Sequence, residues 1–138
     1  MLRMIFGAII GLATAVITIM IIQAIGHMVY PPPDIEPTDT AAFRDYINNM
    51  SPAEFIFVLS SYFIGTFDGV FLACLIARMK YHVFAIVIGT MVLAATIATL
   101  IWIPHPMWFS LTAVLGIIAS AAMAWFIAKR ALPEAPRP

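Results

Sequence analysis

A carboxylate in the middle of an apolar run is the first residue of this sequence that could do chemistry. Asp68 lies ten positions before Arg78, roughly 15 Å from the end of its run at a helical rise of about 1.5 Å per residue. A carboxylate at such a depth costs about 2.5 to 3.5 kcal/mol to insert, and such residues face a protein interior, a partner or a pathway. At helical spacing Ser61, Gly65 and Leu72 share its face while Phe63 and Phe67 lie well round the helix, so Asp68 is expected to point inward and the phenylalanines toward lipid. Counting the same depth along the other apolar runs reaches Thr14, Thr90 and Ser120. Asp68, Ser61, Thr14, Thr90 and Ser120 together make either a protonated polar staple between helices or an intramembrane proton or cation site, since burial favours the neutral acid.

A second polar set lies at the other end of the runs. Gln23, His27 and Tyr30 are spaced by four and three, one stripe on a helix, and His105, in the turn Pro104–Pro106, is expected at the same level. Two imidazoles beside carboxylates can bind a divalent metal such as zinc, which makes His27 and His105 weak metal candidates. Their separation matches no HxxxH or HExxH spacing, and hydrogen bonding to loop backbone explains them equally. Ser60 and Ser61 follow no nucleophile elbow, and phosphate loops, dinucleotide glycine patterns and haem-attachment motifs are absent. No cofactor is expected, and an enzyme is the weaker expectation. Cys74 has no partner in the chain and reads as a small core residue.

The elements that must position these groups follow from composition. Of 138 residues 63% are hydrophobic and 10% charged, against roughly 25% charged in soluble domains. Net charge is zero, and no basic tract is interleaved with aromatics, which excludes nucleic acid as a partner. A transmembrane helix needs about 20 mostly apolar residues, and four stretches supply them, at about 4–30, 52–77, 81–103 and 107–128. The expected fold is an all-α, four-transmembrane-helix bundle forming one domain over residues 1–128, with a disordered tail over 129–138. The first span begins like a signal peptide, with Arg3 before an apolar run and Ala24-Ile25-Gly26 resembling a cleavage site. Its run exceeds the usual 7–15 or so residues, so it reads as a retained helix.

Lys and Arg mark the cytoplasmic side. Arg3, Arg78, Lys80, Lys129, Arg130 and Arg137 fall on one side and Arg44 alone on the other, so both termini are expected in the cytoplasm of a bacterial cell, in its inner membrane, with the acidic loop 31–51 outside. Tyr30, Trp102 and Trp108 would then mark the outer interface, and Tyr81 and Trp125 the inner. After the stiff Pro31-Pro32-Pro33 segment, Thr38 or Asp39 can cap a short amphipathic helix with Phe43, Tyr46, Ile47 and Met50 on one face, lying on the membrane surface. Ser51, Pro52 and Glu54 form a capping box that starts the second span and makes Glu54 a cap before it is a ligand.

Lipid removes the hydrophobic drive for helix association, and small residues must supply it by close packing. Gly7, Gly11 and Ala15, then Gly65, Gly69 and Ala73, then Gly116, Ser120 and Ala124 recur every four positions. These stripes can join helices within the chain or to a second copy.

The strings His27-Met28-Val29-Tyr30-Pro31-Pro32-Pro33 and Ile103-Pro104-His105-Pro106-Met107-Trp108 resemble small, uncharacterised bacterial inner-membrane proteins of four spans. The resemblance covers roughly the first 128 residues and implies a fold without an activity. In size and helix number the chain is also similar to small multidrug transporters, whose membrane carboxylate couples proton and substrate. Here the acid is in the second span, not the first, and the outer loop is longer, which sets the chain apart. The expected role is therefore a small accessory or structural membrane protein, assembling with itself or a larger complex in the lipid bilayer. The alternatives are a proton- or cation-coupled transporter or channel using Asp68, as a dimer, and a membrane enzyme with an outer-face histidine site.

Overall fold

The computed structural model describes residues 2–36, 39–103 and 105–133; Thr38 and Pro104, and residues 134–138 of the expected tail, lie outside them. Five helices are formed among the described residues: α1 (Leu2–Val29), α2 (Thr40–Asn49), α3 (Pro52–Ala77), α4 (Tyr81–Trp102) and α5 (Met107–Ala131). All but α2 are long and apolar enough to cross a membrane.

Local chemistry sets the boundaries. Asp39 caps α2 by accepting hydrogen bonds from the Ala41 and Ala42 N–H groups at 3.1 and 2.9 Å. The capping box at the start of α3 is complete: the Glu54 N–H donates to Ser51 Oγ at 3.4 Å and the Ser51 N–H to Glu54 Oε2 at 2.6 Å, with Pro52 in the first turn. This satisfies two donors that a helix start leaves open. Between α3 and α4 the chain reverses through two left-handed residues, Arg78 (φ 51°) and Lys80 (φ 48°). Helix α5 continues to Ala131, three residues past the expected limit, and the Tyr81 hydroxyl donates to the Leu132 and Pro133 carbonyls at 3.2 and 3.3 Å. The first part of the expected tail is thus ordered against the start of α4.

Helix α3 is the centre of the bundle, packing on α1, α4 and α5, whereas α1 and α5 do not approach each other. The closest pairing is α1 on α3, and glycine makes it possible. A Cβ on Gly11 would stand 2.5 Å from the Gly69 carbonyl oxygen, and one on Gly69 would stand 2.6 Å from the Gly11 carbonyl oxygen. Gly7 meets Ala73 and Ala77 in the same way, and Gly65 meets Ala15 and Ile19. The stripes of the first and second spans therefore close on each other inside the chain. Gly116 serves differently: it leaves the notch that the Phe63 ring fills.

That notch overturns the expectation that Phe63 and Phe67 face lipid. Phe63 reaches across to α5, and Phe67 stacks on Phe71 at 5.9 Å against the core. Helix α2 forms where expected, between the first two spans. Its Ile47 is buried with Phe55, Leu59, Phe109 and Ala113, and Tyr46 and Met50 pack alongside, so part of its apolar face covers the end of the bundle while Phe43 stays exposed.

Candidate functional site

The polar stripe of α1 converges with the α4–α5 turn. Gln23, His27 and Tyr30 border a cavity of about 170 Å³ at the α2 end, and His105 borders it from the turn. Tyr46 and Met50 close it from α2 and the residue that follows, Glu54, Phe57 and Tyr62 from α3, and Thr99 from α4. The antiparallel pairing of α1 with α3 sets one wall, because Gly26 lets α1 settle against the Phe57 side chain.

Several polar groups in this wall have a defined partner or neighbour. The Gln23 amide donates to Ser61 Oγ at 3.2 Å, and the Ser61 hydroxyl donates to the Val58 carbonyl at 2.7 Å. Glu54, besides capping α3, accepts from the Tyr46 hydroxyl through Oε1 at 3.3 Å. Burial raises the Tyr46 pKa above the usual phenol value, and the neighbouring Glu54 charge and hydrogen bond add to the rise, since all three disfavour a phenolate. Tyr30 sits edge-on to Phe57 with ring centres 5.9 Å apart.

His105 is fixed by its own turn. Nδ1 lies 2.7 Å from the Ile103 carbonyl oxygen, a contact that requires the proton on Nδ1. The ring stacks on Phe109 at 4.8 Å and meets the edge of Phe55 at 6.3 Å. Burial lowers its pKa below the ordinary imidazole value, while the bond to Ile103 works in the opposite direction. His27 and His105 share the cavity, but no group of three His, Cys, Asp or Glu side chains able to hold a metal forms among the described residues.

The Asp68 set does not assemble. Thr14 donates to the Ile10 carbonyl of its own helix at 2.8 Å, Ser61 is engaged with Gln23 and Val58, Thr90 is exposed, and Ser120 is buried on α5. No hydrogen bond or ion pair joins any of them to Asp68, which is half-buried on α3. Every fully buried side-chain oxygen or nitrogen among the described residues has a partner, so the partnerless Asp68 carboxyl reaches the molecular surface. Its neighbours Gly65 and Gly69 pack against α1, and the carboxyl itself shares no hydrogen bond with the expected hydroxyl set.

Phe57, Tyr62 and Thr99 are not singled out by the sequence, and Tyr46 stands there only as part of the apolar face of the short helix. The α3 sequence does carry a signal: Glu54, Phe57 and Ser61 recur at three and four residues along the face that carries the cap. No family model, curated protein or solved structure matches the chain.

Proposed function

We propose that the chain is a bilayer-spanning accessory protein that assembles with a second copy or a larger membrane complex, in a bacterial inner membrane with both termini in the cytoplasm. The observation that carries this reading is Asp68: a carboxyl midway along α3 that reaches the surface without a partner of its own. In hydrocarbon such a group is stabilised by a hydrogen-bonding partner from another chain. The α1 and α3 glycine stripes do not supply the contact, since they are consumed within the chain.

Asp68→Asn keeps a hydrogen-bonding side chain, and Asp68→Leu removes it. Light scattering on protein extracted in mild detergent is expected to give a mass above the single 15.1 kDa chain for the natural protein and Asp68→Asn, and a single-chain mass for Asp68→Leu. A single-chain mass for all three would refute assembly through Asp68.

The same exposed carboxyl favours one second reading, proton- or cation-coupled transport, in which Asp68 gains and loses a proton in each cycle. Proton movement driven by a solute gradient in liposomes would then stop in Asp68→Asn while the assembled mass is retained.

A further inference from the structure

The α2-end cavity has a composition that assembly through Asp68 does not explain. We propose that it receives a compact organic ammonium group, carried on a soluble amine or on a lipid head group. Three features select that chemistry. Glu54 places a carboxylate in the wall, fixed by the Ser51 N–H at 2.6 Å and the Tyr46 hydroxyl at 3.3 Å, and no Lys or Arg is among the lining residues. Tyr30, Tyr46, Phe57 and Tyr62 line the same space, and aromatic faces attract alkylammonium ions through their ring quadrupoles. The volume, about 170 Å³, is below the roughly 300–1,000 Å³ of sites for drug-sized molecules and admits a head group only.

Alternative ligands fit less well. An anion would meet Glu54 with no Lys or Arg in the lining to offset it, and an inorganic divalent ion would find no three-ligand set among the described residues. The exposed acidic residues Asp34, Glu36, Asp39 and Asp45 lie on the segment leading to this end, and their field raises the local concentration of cations.

The test is calorimetric titration of the purified full chain in detergent with choline chloride and ethanolammonium chloride. The neutral choline isostere 3,3-dimethylbutan-1-ol serves as control. A lipid arm uses nanodiscs of mixed phosphatidylethanolamine and phosphatidylglycerol, with retained lipid identified by native mass spectrometry. Saturable binding of either amine assigns a soluble source, and selective retention of phosphatidylethanolamine without amine binding assigns a lipid source. Glu54→Gln, which preserves the capping box, is expected to weaken binding about tenfold, and Tyr30→Leu about fivefold, with Tyr30→Phe near the natural value. Three results would overturn the proposal: equal binding of the neutral isostere, unchanged binding in both Glu54→Gln and Tyr30→Leu, or no binding in either arm. Tyr30 lies outside the cap, so Tyr30→Leu decides the matter if Glu54→Gln fails to fold.

Discussion

His105 holds its turn as a neutral ring, between the Ile103 carbonyl and the Phe109 face. Its folded pKa is below the unfolded value of about 6.5, so between the two the unfolded chain binds more protons. The stability from this ring is complete above about pH 6.5 and is lost as pH falls through the lowered pKa. The melting temperature in detergent should therefore drop on acidification from neutral toward pH 5, and His105→Asn, which keeps a donor for Ile103, should flatten that part of the curve. An unchanged slope in the variant would assign the acid sensitivity elsewhere. At this scale the sequence was partly legible. Gln23, His27 and Tyr30 are polar residues at helical spacing and stand out against apolar surroundings, whereas Phe57 and Tyr62 look like ordinary core filling. Asp68 shows the other limit: its depth follows from counting residues. Its direction does not, because a helix that is apolar all round presents no periodicity from which to read a face.

Among the elements, α1 and α3 depend on each other most. The four buried residues of α1 are Gly7, Gly11, Ala15 and Gly26, all small, so the helix is held by close approach and not by large side chains. Gly69→Ala would place a methyl 2.6 Å from the Gly11 carbonyl oxygen and 2.7 Å from the Ala15 Cβ, forcing backbone apart. Overpacking of this kind typically costs about 1–3 kcal/mol. Thermal unfolding in detergent should show the loss without a prior change of oligomeric mass; dissociation of an assembly before any unfolding would place the stripe at an interface between chains. The small-residue repeats were visible in the sequence, but a repeat does not state its partner. That α1 and α3 close on each other follows from the antiparallel pairing that brings Gly11 level with Gly69. The start of α3 was fully legible, because Ser51, Pro52 and Glu54 encode it locally. The seating of α2 was not, since its apolar face fits lipid and a protein groove equally well in composition.

For the whole molecule, the distribution of exposed apolar surface decides the surroundings. Large side chains such as Ile5, Ile9, Ile17 and Met20 on α1, and Leu111, Leu115 and Ile118 on α5, are more than half exposed. Continuous apolar surface of that extent is unstable in water and at home in lipid. The antiparallel helices bring the start of α1, the α3–α4 turn and the end of α5 to one end, with α2 and the cavity at the other. Among the described residues Arg3, Arg78, Lys80, Lys129 and Arg130 lie at the first end and Arg44 alone at the other, and the proposed orientation puts the first end in the cytosol. Single cysteines test this most directly, in a Cys74→Ala background, with Asn48→Cys on α2 and Lys129→Cys on α5 exposed to a membrane-impermeant maleimide. The bilayer-spanning account predicts that Asn48→Cys is labelled in intact spheroplasts and Lys129→Cys only after lysis. The reverse pattern, or a chain that stays monodisperse in water without detergent, would contradict it.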